Sequence, residues 1–228
     1  MQTQRERKAA PATRRVLIVD DHPLTRRGMA ELIGQQADLG VCGEAGDASQ
    51  ALAAVSALEP DLVLMDITLP DKHGLEVIKD LRTLQPRTPV LVVSMHDENL
   101  YAERALRAGA RGYLMKNEGG EKLLHAIRQV LAGSIYVSQA LAAKVIDLFS
   151  GHQRRALDTI TASLTDRELE VFEFLGQGLT TREIGKHMRV SPKTVETHRM
   201  HIREKLGLKT GPELIKLAVR WAGTRELL

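Results

Sequence analysis

Five polar side chains in the first half of the chain have types that perform phosphoryl chemistry when brought together: Asp20, Asp21, Asp66, Ser94 and Lys116. Each closes a short apolar run, in "VLIVDD", "LVLMD", "VLVVS" and "GYLMK". Three clustered carboxylates repel one another unless a cation sits among them. Hard oxygen donors with room for water suit Mg²⁺, which binds through few carboxylates and shares oxygens with a phosphoryl group. A carboxylate oxygen can then attack phosphorus in line, with the cation and a lysine neutralising the developing charge. Lysine fits that task as a compact charge on a flexible stem. Singly, each residue has a plainer reading. A strand-end aspartate is more often a cap or turn residue, Ser94 a turn hydroxyl and Lys116 a solvated charge. Their coincidence at successive strand ends favours the chemistry.

That coincidence depends on the elements. The runs at Val16–Val19, Val41–Cys42, Leu62–Met65, Val90–Val93 and Gly112–Met115 are too short for helices and rich in Val, Ile and Leu. They predict strands buried on both faces. Between them, Leu24–Ile33, Ala48–Leu58, Leu75–Leu84, Tyr101–Ala108 and Leu123–Leu131 space apolar residues three or four apart, as helices do. Five alternations predict an α/β, doubly wound, five-stranded parallel sheet with right-handed crossovers. Its ligand site lies beyond the carboxyl ends of the strands, where all five polar groups fall.

After Gly133 the alternation ends. Ser138–Phe149 reads as one more amphipathic helix, and residues 150–163 as a polar connector. From Leu164 onward the pattern is all-α, with four helices. Thr165 followed by Glu168 forms a capping box ahead of Leu169, Val171, Phe172 and Leu175. A short helix covers Arg182–Met188. The next opens with Ser191 as N-cap and Pro192 at its first position, and closes at Gly207. Pro212–Trp221 is the fourth. The middle pair has the spacing of a helix-turn-helix. Its second helix shows Lys193, Thr197, His198, Arg199 and Arg203 on one side and Val195, Ile202 and Leu206 on the other. Such a helix fits a major groove, with basic side chains on phosphate. The charges alone fit a merely solvated helix equally well.

The charge distribution agrees. Residues 16–150 carry 13 basic and 18 acidic side chains, a balance of −5, whereas residues 151–228 carry 14 and 10, a balance of +4. Only the second half invites a polyanion. The first fifteen residues hold five basic side chains against Glu6 and read as a disordered tail. They lack the apolar core of a signal peptide. No apolar run approaches a membrane span. Cys42 is the only cysteine, which excludes an intrachain disulfide and a cysteine-based zinc cluster. A reducing cytoplasm fits. His198 and His201, three apart, have no evident third metal ligand.

The stretches "VLIVDDHPLTRRGM", "DLVLMDITLPDKHGLEVI", "VLVVSMHD" and "AGARGYLMKN" together resemble the receiver domain of two-component response regulators. The segment from "LTDRELEVFEFLGQGLTTREIGKHM" to about Trp221 resembles the LuxR-type DNA-binding domain of the NarL/FixJ regulators. The resemblance implies a flavodoxin-like receiver over residues 15–133, after a tail of residues 1–14. A helix and linker over 134–163 and the DNA-binding domain over 164–228 complete the chain. It implies that Asp66 is the phosphoacceptor and that Mg²⁺ is held by Asp21, Asp66 and the backbone carbonyl of Thr68, with Asp20 acting directly or through water. Ser94 would hydrogen-bond the phosphoryl group, Tyr113 would swing inward with it, and Lys116 would pair with a phosphoryl oxygen. Asn117 stands where many receivers have proline. Lys193, Thr194, His198, Arg199 and Lys205 would contact DNA phosphates, while Glu196, Thr197 and Met200 occupy base-reading places.

The implied partners are a sensor histidine kinase docking near Leu24 and Arg27, double-stranded DNA, RNA polymerase and a second copy of the chain on phosphorylation. The implied protein is a cytoplasmic transcriptional regulator and not an enzyme. Two other readings remain at this point. A phosphotransferase would use Asp66 as a covalent intermediate, although no aspartate follows two residues later to serve as general acid. A protein-binding adaptor would keep the helix-turn-helix as scaffold and associate with duplex DNA independently of salt.

Overall fold

The computed structural model of the chain describes residues 13–142 and 161–226, which form two compact units. The first is a five-stranded, wholly parallel sheet of order β2-β1-β3-β4-β5. Its strands are β1 (Arg14–Val19), β2 (Leu39–Ala45), β3 (Leu62–Met65), β4 (Val90–Ser94) and β5 (Gly112–Met115). They alternate with helices α1 (Pro23–Gly34), α2 (Ala48–Leu58), α3 (Gly74–Leu84), α4 (Glu98–Ala108) and α5 (Gly120–Leu131). The expected five-fold alternation is present.

Sequence pattern explains the layering. Val16, Ile18, Leu62, Leu64, Leu91, Val93 and Leu114 project to one face and form a core with Met29 and Ile33 of α1 and Leu123, Ile127 and Val130 of α5. The residues between them, such as Leu17, Val63, Met65 and Val92, point the other way and are equally buried. Side-chain caps start the helices locally: Asp47 accepts from the Gln50 amide at 2.7 Å for α2, and Asp97 from the Asn99 amide at 2.8 Å for α4.

The strand expected at Val41–Cys42 is longer, because Gly40, Gly43 and Glu44 interrupt its apolar run yet still pair with β1, whose register shifts once past Cys42. It is an edge strand, so its outer groups meet solvent and its side chains need not be apolar. Beyond α5, Tyr136 pairs with Gly112 along the outer edge of β5. A Cβ at Gly112 would meet the Tyr136 carbonyl oxygen at 2.8 Å, so only glycine admits this approach.

The second unit contains α6 (Asp166–Gly176), α7 (Thr181–His187), α8 (Pro192–Lys205) and α9 (Gly211–Glu226). The Thr165–Glu168 capping box and the Ser191 cap are both formed, and an unforeseen second capping box joins Thr180 and Glu183. Leu169, Phe172, Ile184, Val195, Ile202, Leu214 and Trp221 are buried. The Phe172 and Trp221 rings lie 5.2 Å apart, centre to centre. The last helix runs to Glu226 rather than stopping at Trp221. The tail of residues 1–12, residues 143–149 of the helix expected from Ser138, and residues 150–160 of the connector lie outside the described residues.

Candidate functional site

Parallel pairing brings the strand ends together. The Asp66 amide donates to the Val19 carbonyl at 2.8 Å, setting the end of β3 beside the end of β1. Asp20, Asp21, Asp66 and Ser94 are all buried there. Lys116, in a single 3₁₀ turn after β5, places Nζ 2.6 Å from Asp66 Oδ2 and 2.7 Å from Asp20 Oδ2. Burial pushes the Lys116 amine down, but the Asp66 and Asp20 carboxylates beside it outweigh that and hold its proton above the ordinary lysine range. Three carboxylates face one fixed amine, a formal balance of −2. That balance and the all-oxygen donor set suit a divalent hard cation.

The remaining expected pocket residues are also placed. Ser94 Oγ accepts from the His96 amide at 3.2 Å, as a turn hydroxyl does. Tyr113 is already buried, and its hydroxyl donates to the His96 carbonyl at 2.8 Å. The ring lies inward in this conformation. Thr68 lies two residues beyond Asp66, half-buried. The Lys116–Asn117 peptide is trans. Leu24 is 86% exposed on α1, and Arg27 is exposed on the same helix.

One residue at this edge escaped the sequence reading, and another, His22, flanks the pocket in sequence but reads there as a loop residue. The Arg26 guanidinium donates to the Asp20 carbonyl and pairs with Glu44 at 3.3 Å, tying α1 to the ends of β1 and β2. His22 sets Nδ1 2.6 Å from Asp21 Oδ1 and 3.4 Å from Asp20 Oδ1. Its place after two aspartates sets it at the pocket's flank, and side-chain direction brings the ring onto both carboxylates.

In the helical unit, Lys193, Glu196, Thr197 and Met200 are exposed at positions one turn apart on α8. They form a single outward stripe. Glu196 is not idle: it accepts from the Thr181 hydroxyl at 2.7 Å and from Arg199 at 2.8 Å. Thr194 Oγ1 lies 2.8 Å from Ser191 Oγ, within the cap. His198 is half-buried, and burial pushes its imidazole down despite the Glu168 carboxylate nearby. Lys205 Nζ is held 2.6 Å from buried Glu168. His201 Nδ1 faces the same carboxylate at 3.9 Å. Gly185 in α7 permits the tight turn into α8, since a Cβ there would meet the Val190 carbonyl oxygen at 2.9 Å.

Residues 16–128 match the family model for the response regulator receiver domain, and residues 162–218 match that for bacterial regulatory proteins of the luxR family. The oxygen regulatory protein NreC of Staphylococcus aureus is 36% identical over 212 residues, covering 90% of this chain and 97% of that protein. The chain belongs to the LuxR-family two-component response regulators. A crystal structure of a LuxR-family response regulator from Aurantimonas sp. matches the regulator at 34% identity and a TM-score of 0.57, covering 61% of this chain and 99% of the other. RcsB of Salmonella enterica serovar Typhimurium, solved on a promoter, has the same fold at 22% identity, with a TM-score of 0.59 over 90% of this chain and 97% of its own. This response regulator thus joins a receiver to a LuxR-type DNA-binding domain, the architecture of a phosphorylation-controlled transcription regulator. Among the described residues, no helix is long and apolar enough to cross a membrane.

Proposed function

We propose that Asp66 accepts a phosphoryl group from the phosphohistidine of a sensor histidine kinase, and that the phosphorylated chain regulates transcription through α8. The observation that carries this reading is the sharing of the Lys116 amine by Asp66 and Asp20, all three at one sheet edge. An Asp66 carboxylate oxygen attacks phosphorus as the phosphorus–nitrogen bond breaks, and the departing imidazole nitrogen keeps the electron pair and takes up a proton. Lys116 stands ready to turn from carboxylate to phosphoryl oxygen. Ser94 exchanges its turn bond for one to the phosphoryl group, beside the seated Tyr113 ring. Asp20, Asp21, Asp66 and the Thr68 carbonyl would hold Mg²⁺, which when bound neutralises phosphoryl oxygens.

The receiver spans residues 15–133, residues 134–163 link it onward, and residues 164–228 bind DNA. Lys193, Thr194, His198 and Arg199 serve the phosphates, while Lys205, also expected there, is held by Glu168 and braces the helix that carries them. Glu196, Thr197 and Met200 face the bases. Phosphorylation favours a homodimer on two half-sites, within the cytoplasm, where RNA polymerase can be contacted. The kinase docks near Leu24 and Arg27.

Incubation with acetyl phosphate and Mg²⁺, read by intact mass, tests the assignment. Wild type gains one phosphoryl group and Asp66→Asn gains none. Equal gain by both proteins, or none by either, would reject Asp66 as the acceptor.

A further inference from the structure

We infer that His22 is itself a ligand of the pocket's divalent cation, through Nδ1, giving the site a preference for Mn²⁺-class ions over Mg²⁺. The inference rests on the reading of the acidic pocket as a cation site. Ligand atoms of Asp20, Asp21, His22 and Asp66 all lie within 4.8 Å of one another. An octahedral ion with bonds of about 2.1 Å sets neighbouring donors about 3 Å apart and opposite donors about 4.2 Å apart. The separations of His22 Nδ1 from Asp21 and Asp20, 2.6 and 3.4 Å, straddle the shorter spacing.

The ring is also held in place. His22 is the N-cap residue of α1 in extended conformation, with Pro23 fixing the next φ. Its own amide donates to Asp20 Oδ1 at 2.8 Å. One of the pocket's buried carboxylates therefore anchors the backbone that carries the imidazole. More than half of the His22 side chain is exposed, so the ring lines the mouth of the pocket, where solvent reaches the ion.

The donor type decides the selectivity. A neutral imidazole adds a nitrogen without adding charge to a pocket already at −2. Mg²⁺ gains little from nitrogen, whereas the first-row transition ions gain progressively more from imidazole, Mn²⁺ the least of them. The competing role is positioning: Nδ1–H donates to Asp21 and only orients it, which would help every cation alike.

Electron spin echo spectroscopy of the full chain loaded with MnCl₂ separates the two. A directly bonded nitrogen in wild type is expected, lost in His22→Phe, and changed on ¹⁵N-histidine labelling. By titration calorimetry, His22→Phe weakens Mn²⁺ about tenfold and Mg²⁺ less than about twofold. Absence of nitrogen coupling in wild type overturns the proposal even if His22→Phe fails to fold. Parallel weakening of both cations overturns it in favour of positioning. If wild type binds neither cation, the proposal falls together with the pocket's cation reading, whereas binding without nitrogen coupling sinks the His22 ligand alone.

Discussion

Asp20 and Asp66 depend on one amine, and that dependence has a measurable size. Lys116→Met leaves two buried carboxylates facing Asp21 with no fixed cation, and breaking such a pair costs about 3 kcal/mol. Urea unfolding in metal-free buffer, followed by circular dichroism, should show that loss at neutral pH. The pH dependence has a definite sign. The Lys116 proton is held above its ordinary value, so its stabilisation is complete below the unfolded lysine pKa of about 10.4 and is lost as pH rises through the higher folded value. On the alkaline side, the gap between wild type and Lys116→Met should therefore close only in strong alkali. A gap that closes near neutrality would mean that Lys116 does not neutralise the pocket.

At the scale of elements, Lys193 and Lys205 sit on one helix but do different work. Lys193 is exposed on the outward stripe, whereas the Lys205 amine is tied to buried Glu168 in α6. Lys193→Ala is expected to flatten the dependence of DNA affinity on log salt by about one unit. Lys205→Ala should instead loosen α6 from α8, lowering the melting temperature with little change in slope. Trp221, the chain's only tryptophan, is packed on Phe172 and reports this unit by fluorescence. Burial pushes the Glu168 carboxyl up, but Lys205 and the Thr165 cap outweigh it and hold it below the usual range. Its stabilisation is thus present above the unfolded pKa of about 4.3 and lost as pH falls through the lower folded value. Lys205→Ala should move acid unfolding of the Trp221 signal to higher pH.

The same scale explains what could be read from sequence. Strands β1, β3 and β4 announce themselves because burial on both faces demands nearly unbroken Val, Ile, Leu and Met, β5 shows through its Tyr-Leu-Met run although it lies at an edge, and the residues ending all four share one side of the sheet by parallel pairing alone. Edge strand β2 has no such demand, so only its Val41–Cys42 centre is visible. The Tyr136 bridge is a single residue and leaves no period. Lys193 and Thr197 follow from helical spacing, but the hold of Glu168 on Lys205 spans 37 positions and depends on how α6 meets α8. The same is true of Arg26, whose importance lies in rotamer and reach.

For the molecule as a whole, the central quantity is the coupling free energy between Asp66 and DNA. Couplings of this kind run to about 1–3 kcal/mol, or about 5- to 150-fold in affinity. Phosphorylation should tighten operator binding within that range and raise the dimer fraction, in wild type but not in Asp66→Asn. Fluorescence anisotropy on duplex DNA and light scattering would measure the two. Tightening of Asp66→Asn by acetyl phosphate to the same degree would place the coupling elsewhere.

Tyr113 bears on the lower end of that range. Its ring is buried and its hydroxyl donates to the His96 carbonyl, and a chain that rests in this conformation has no aromatic rearrangement to complete. A step that needs no ring flip is quick, and it also leaves little energy separating rest from response. Speed and silence then oppose each other. A promoter under this regulator should respond promptly to its stimulus and carry a measurable background transcript when the stimulus is absent.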